Sequence, residues 1–350
     1  MSNPASDNTF TRPLVRNLRQ HVDDIEDTLP GKGTHSTAAA WVYTTVLIAW
    51  AEDHGLIRAR LRAGAEAARK EHQRGGGTVA DWIRRGLADL AAHPATACLA
   101  DPRFNPMLAA TPPDGPLDDL VAWWSADAPG LRYDVDDGPE SITGLLPGEL
   151  LQYITDERKR HALAQTPWWL ADLLVDRTLI PAAREHRDET LLTCDPTCGT
   201  GHMLIALATE LWELYTTGRL PDRPGRPPGG VTGWTPVSAG EAVKRIRAGV
   251  DGCELDPLTA AVARLRMTVY LGELLRRGGA LPGPLTIARI PRGLVPRIVV
   301  GDSLLARKVS ASEYAQLRPE QAAIVNLGMP DEPVSATGPE QLALPTGGAS

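Results

Sequence analysis

Apolar positions along this chain follow two different rhythms, and the change falls near residue 190. Up to about residue 150 they recur at helical spacing between Pro-rich interruptions, without strand-like alternation. Ala38–Asp53 is predicted as one helix, ended by Gly55 in a C′ position. Leu56–Gln73, rich in Ala and Arg, reads as a second helix stopped by RGGG, and Val79–Ala92 as a third. The stretch 93–116 is loose, and Ile142–Leu179 reads as two helices joined near Gln165. From Leu191 the pattern shifts. Short apolar strand candidates, Leu191–Cys194, Ala248–Cys253 and Ile298–Val300, alternate with helical stretches at Leu204–Tyr215 and Leu258–Arg276. Such alternation predicts an α/β unit with a parallel sheet and crossover helices.

The segment 216–240, rich in Gly, Pro and Arg, reads as a surface loop. The last twenty residues have the composition of a disordered tail. The resulting division is a helical N-terminal domain at 1–140, an α/β domain at 141–330 and a tail at 331–350. Hydrophobic residues make up 43% of the 350, as in globular chains, and the net charge of −7 argues against a broadly basic, nucleic-acid-coating surface. The longest apolar run, Ala38–Ala51, is too short to span a bilayer, and no signal segment opens the chain, so the expectation is a cytoplasmic protein with no membrane contact. The four cysteines (Cys98, Cys194, Cys198 and Cys253) form no CxxC pair and read as reduced structural thiols rather than zinc ligands.

The informative stretch is LLTCDPTCGTGHML, residues 191–204. An apolar run ends in Asp195, a tight turn with Gly199 and Gly201 follows, and a helix begins. In doubly wound folds ligands bind at the carboxyl ends of strands. Glycines let backbone approach a ligand closely, and the helix start aims free N–H groups at it. The turn lacks the third glycine of a dinucleotide fingerprint and the GK[ST] of a phosphate loop. PGKGTHST near the N-terminus only superficially resembles the latter, since its Lys is misplaced and no strand precedes it. Two more acids stand at the next strand ends. Glu254, in GCELDP, can accept ribose hydroxyls, and Asp302, in GDSL, can accept an exocyclic amine. Asp256 reads as the N-cap of the helix opened by Pro257. Three carboxylates would repel phosphate but suit a ligand with an amino group, a ribose and an adenine.

These residues resemble the adenine-specific N6 DNA methyltransferases. DPTCGTGH is similar to their motif I, GCELDP to the acidic motif II, GDSL to motif III and the upstream QTPWWLADLLVD to motif X, in the order of the gamma arrangement. The helical stretch WVYTTVLIAWAEDHGLI and the approach LLPGELLQYITDERKRHALAQTP resemble the methylases of BREX/Pgl-type phage-defence systems and of fused restriction–modification enzymes. The resemblance implies a Rossmann-like methyltransferase sheet with S-adenosyl-L-methionine as cofactor. It places Thr166 and Pro167 near the methionine carboxylate, has Asp195, Gly199 and Gly201 cradle methionine and sugar, and puts Glu254 on the ribose and Asp302 on the adenine.

The family's catalytic [N/D/S]-P-P-[Y/F/W] is missing. With Ala323–Val325 as strand four, Asn326 stands in place, but Leu327, Gly328 and Met329 break the pattern, so it is a degenerate candidate only. The remaining strands of the sheet are absent, as is a target-recognition domain. Three readings stay open. The chain is the cofactor-binding portion of a DNA adenine methyltransferase completed by a second polypeptide, or an inactive methylase-like module of a defence complex, or a methyltransferase for another substrate. DNA contact would come through the partner or through local basic patches at Asp156–His161 and the Arg-rich helix at 58–74, although such runs are usually solvated faces. His35 and His202 read as polar turn residues and Trp168–Trp169 as core packing.

Overall fold

In the computed structural model, residues 8–31, 34–131, 146–155, 166, 168–222, 230–305 and 309–324 are described. The chain divides into two compact units, one formed by residues 1–92, 99–164 and 286–288, the other by 93–98, 165–285 and 289–350.

The first unit is helical. It contains α1 (Asn8–Glu26), α2 (Thr34–Asp53), α3 (Glu66–Arg74), α4 (Val79–Leu90), α5 (Asp114–Ala126) and α6 (Leu146–Ile154). Helix α2 carries almost no polar face, and Thr37–Ala51 are buried without a break. A helix apolar all round belongs at the centre of a core, and α1, α4 and α6 pack against it. Leu14, Leu18, Val22 and Ile25 supply the buried stripe of α1. The polar atoms carried into this core are paired: Tyr43 Oη donates to Pro147 O at 2.8 Å and Trp124 Nε1 to Thr45 Oγ1 at 2.7 Å. Gly55, at φ +67°, ends α2 in the left-handed conformation that its sequence position calls for. Helix α6 packs in this unit, so the compact unit runs past the sequence boundary at 140.

The second predicted helix is shorter than its pattern. Residues 58–65 are not helical, because the Glu52 carboxylate accepts the backbone N–H groups of Arg60, Leu61 and Arg62 at 2.8–2.9 Å and folds them into a turn. Arg60 is buried on Asp89 (2.8 Å), and Arg62 pairs with Asp53 (2.6 Å). Arg60 and Arg62 are therefore not part of a free basic face, although Arg58, Lys70 and Arg74 are exposed, while Asp156–His161 lie outside the described residues. His35 sits in the first turn of α2 with Nδ1 2.7 Å from Glu26 Oε2, rather than in a loose turn.

The second unit is α/β. Its elements are α7 (Trp168–Glu185), β1 (Thr193–Asp195), α8 (His202–Thr217), α9 (Ala239–Gly249), β2 (Val250–Glu254), α10 (Pro257–Arg277), β3 (Arg297–Val300), α11 (Ala311–Leu317) and α12 (Pro319–Ile324). The strands form a three-stranded parallel sheet in the order β1-β2-β3, with Asp195 opposite Gly252 and Glu254 opposite Val300. This is the partial Rossmann-like arrangement expected, with a helical unit preceding it in sequence. Leu204, Leu207, Leu211 and Leu214 of α8 are all buried, as their spacing predicts. Helix α10 is buried from Leu258 to Leu275, charged residues included. Arg264 donates to Ile298 O through Nε (2.9 Å) and Nη2 (2.6 Å), tying the helix to β3.

The segment 216–240 is not wholly a surface loop. Leu220 pairs with Val231, and the buried Trp234 donates from Nε1 to Ala183 O at 2.8 Å, so an indole anchors its second half. Trp169 is 65% exposed and is not core packing; the side chain of Trp168 lies outside the described residues. Ala323 and Ile324 end helix α12 instead of forming a fourth strand, since PEQAAI opens with Pro at a helix start and continues with good helix formers. Val325, Asn326 and the tail lie outside the described residues. Among the described residues no helix is long and apolar enough to cross a membrane.

Candidate functional site at the strand ends

The turn after β1 is held from three sides. Asp195, the last residue of the strand, accepts the Thr197 N–H on Oδ1 at 3.1 Å. Cys198 N donates to Cys253 O at 2.9 Å, which ties the turn to β2. Arg266 of α10 is buried and donates from Nη1 to Thr200 O at 2.6 Å. The chain can take this path because Gly199 (φ +54°) and Gly201 (φ +90°) lie in the left-handed region. Gly201 is the N-cap of α8, and an added Cβ there would lie 3.5 Å from that of Ala263. Its geometry is set by its φ more than by crowding.

Glu254, the last residue of β2, reaches back to this turn. Its Oε2 accepts the Gly199 N–H at 2.9 Å and its Oε1 the Asp256 N–H at 2.9 Å. Asp256 caps α10 as its sequence position predicts, accepting from Thr259 N at 2.7 Å. Asp302 follows β3, and the preceding Gly301 N donates to Glu254 O at 2.9 Å. The three acids predicted from sequence therefore lie at adjacent strand ends, Asp195 and Glu254 bonded to the turn after β1 and Asp302 beyond the neighbouring β3. Burial pushes the Cys253 thiol up to about 12, and Glu254, Asp302 and Asp195 each reinforce the shift. Burial likewise raises Cys194 to about 11. These thiols stay protonated at neutral pH and are poor nucleophiles. Among the described residues no cluster of His, Cys, Asp and Glu is arranged to hold a metal.

The acids differ in how their charge is met. Burial raises the pKa of Asp195, opposed only by the Thr197 N–H. Burial also raises that of Glu254, and the neighbouring Asp256 charge adds to the effect. Among the described residues neither carboxylate has an ion-pair partner. Asp302 does, since Arg318 Nε donates to its Oδ2 at 2.9 Å. A carboxylate carries about four acceptor positions. Asp195 and Glu254 thus retain acceptor capacity for hydroxyl or ammonium donors, and a cation placed between them would relieve the cost of burying charge. The acids suit a cationic nucleoside and disfavour a phosphate.

Thr166 is half-buried just before α7, the contacts described do not link it to the acids, and Pro167 lies outside the described residues. His202 is no surface turn residue. It is buried at the start of α8, and desolvation, helped by the nearby Arg266 charge, lowers its pKa well below the usual value, so the ring is neutral. Sequence reasoning missed Tyr314, Arg318 and Gln321. Tyr314 Oη accepts the Asp302 N–H at 2.7 Å, and Gln321 Nε2 donates to Leu255 O at 3.2 Å. Their 4 and 3 spacing was the available signal.

No family model matches the chain. Over 253 residues it is 29% identical to the adenine-specific methyltransferase PglX of Streptomyces coelicolor, a match covering 66% of this chain and 19% of that protein. The chain thus spans about a fifth of the length of this curated relative. Among solved structures it is similar to the Type IIL restriction-modification enzyme MmeI in complex with DNA (16% identity, TM-score 0.40, 86% of this chain and 42% of that one). It is also similar to a nuclease-deletion mutant of the Type ISP restriction-modification enzyme LlaGI in complex with a DNA substrate mimic (12%, TM-score 0.38, 90% and 21%). Both the strand-end residues and the relative matched across 66% of the chain point the same way: the chain resembles the adenine-specific methyltransferases.

Proposed function

We propose that this chain is the S-adenosyl-L-methionine-binding portion of a DNA adenine N6-methyltransferase in a restriction-modification or phage-defence system of the cytoplasm. The observation that carries the reading is the pair of carboxylates, half-buried Asp195 and buried Glu254, that face one glycine turn without a counter-cation among the described residues. When bound, the cofactor supplies an electrophilic methyl group on a sulfonium. The chain's own residues bind and orient it. Asp195, Gly199 and Gly201 hold the methionine and sugar side, Glu254 the ribose hydroxyls and Asp302 the adenine amine, with Thr166 and Pro167 closing the methionine end.

Base positioning and target recognition are assigned to a second polypeptide, and DNA contact follows through it. The outer edge of β1 favours such a partner. It has no strand neighbour among the described residues, and Leu192 beside it is 66% exposed. Unpaired edges are commonly covered. The alternative, an inactive cofactor- or DNA-binding module of a defence complex, is favoured by the broken motif after Asn326. The test is calorimetric titration of the chain with S-adenosylmethionine, repeated with Asp195→Ala and Glu254→Ala. Saturable binding that each substitution weakens at least tenfold is expected. Binding indifferent to both overturns the site.

A further inference from the structure

The third acid is treated differently from the other two, and the difference points to a residue that tunes the purine side of the crevice. Asp302 is nearly buried, with 9% of its surface exposed. Its Oδ1 is fixed by the backbone N–H groups of Leu304 (3.1 Å) and Leu305 (3.2 Å). That leaves Oδ2 as the outward acceptor, and Arg318 Nε sits on it at 2.9 Å. The contact is made through Nε rather than the bidentate fork that makes such pairs strong. The Arg318 side chain is 42% exposed, so solvent screens the pair.

Two contacts besides its own hold the helices that bring Arg318 here. Tyr314, fully buried, accepts the Asp302 N–H, and Gln321 donates to the carbonyl of Leu255, next to Glu254. Tyr314 and Gln321 seat the segment 311–324 on the ends of β3 and β2, and Arg318 between them makes a displaceable contact. We infer that Arg318 competes with an exocyclic amine of the bound nucleoside for Asp302 Oδ2, and so sets both the affinity and the base preference of the cofactor site. With the guanidinium on the carboxylate, the acceptor is taken. When an amino-bearing purine arrives, Arg318 swings to solvent and the amine donates in its place. This inference rests on the cofactor reading above and adds to it a residue that opposes binding.

A half-exposed pair of this kind shifts an equilibrium by about two- to fivefold. The experiment titrates the full chain with S-adenosylhomocysteine and with its deaminated counterpart S-inosylhomocysteine, for wild type, Arg318→Ala and Arg318→Gln, with thermal melts confirming folding. Both variants are expected to bind the adenosyl ligand about two- to fivefold more tightly. The inosyl ligand, whose carbonyl faces the carboxylate and can accept from Arg318, should gain nothing or bind more weakly. Unchanged or weaker adenosyl binding in both folded variants overturns the inference, and so does an equal gain for both ligands, which would mean that the helices had merely loosened. If wild type binds and Glu254→Ala abolishes binding while Arg318 variants are indifferent, only this inference fails. If no protein binds either ligand, the cofactor reading fails with it.

Discussion

Gly199 and Glu254 are joined by a hydrogen bond across 55 residues of sequence, the glycine N–H donating to Oε2 at 2.9 Å. The bond makes the turn after β1 and the acid that ends β2 one unit, so a change in the turn is felt at Glu254, the ribose acceptor of the proposed site.

Gly199→Ala tests that unit. A left-handed φ of +54° costs an L-residue about 1–2 kcal/mol. Relaxing it moves the N–H away from Glu254. Cofactor affinity should fall about tenfold, with a drop in melting temperature of about 2–4 °C, measured by calorimetry and thermal melts. Wild-type affinity in this variant would separate turn from acid.

Asp195→Asn should stabilise the protein while abolishing its binding. Burial raises this carboxyl's pKa in the folded state. Such a group contributes stability below its unfolded value of about 4 and loses it as pH rises through the folded value, so the charge is a net cost at neutral pH. Asn keeps an acceptor for the Thr197 N–H. Melting at pH 7.5 should rise by about 1–3 °C and the difference should vanish near pH 4. In the wild type, binding should weaken as pH falls through the raised carboxyl range. A variant less stable at pH 7.5 would mean that an unseen interaction holds the charge.

What the sequence disclosed, and what it withheld, follows from the range of the forces involved. Asp195, Gly199, Gly201 and Asp256 were legible because strand ends, left-handed turns and caps are local, and each leaves its residue type at a fixed offset. The α2 core helix was legible from an unbroken apolar run. The turn at residues 60–62 was not, because its cause is Glu52, eight to ten residues away. Trp234 looked like loop composition because the Gly and Pro around it hid an indole aimed at Ala183. The Ala-Ala-Ile at 322–324 suited a strand or a helix, and Pro319 with Gln321 seated it as a helix at the site.

Trp234→Ala should destabilise the α/β unit strongly. The indole is 4% exposed, packs on Tyr215 at 5.7 Å between centroids and bonds to Ala183 O. Truncations of this kind cost about 3–5 kcal/mol. Urea unfolding followed at the tryptophans should show a lower midpoint for that transition. A loss under about 1 kcal/mol would mean that the anchor is dispensable.

Glu52→Ala acts on the other unit. It strands three backbone donors, those of Arg60, Leu61 and Arg62, at about 1 kcal/mol or more each where they cannot reach water. A loss of about 2–4 kcal/mol is expected in the helical unit, read by circular dichroism at 222 nm, a wavelength that follows helix content generally. Glu52→Gln should recover part of it, since its carbonyl oxygen still accepts. Equal losses in both variants would show that charge, not acceptance, holds the turn.

Methyl transfer separates binding from chemistry. N6 methylation needs acceptors on the target amine and an aromatic face for the flipped base. Nowhere in the 350 residues does an Asn, Asp or Ser precede Pro-Pro-aromatic, and Asn326 is followed by Leu, Gly and Met. The three strand-end acids hold the cofactor in the proposed reading, but none is offered to the adenine to be methylated. Incubated alone with DNA and tritiated S-adenosylmethionine, the chain should bind cofactor without labelling DNA. Addition of the polypeptide proposed to pair with the β1 edge should restore transfer, and Glu254→Ala should abolish it again. Labelling of DNA by the chain alone would assign the acceptor role to residues outside that motif, and failure to label with every strand-supplying partner would favour the inactive module.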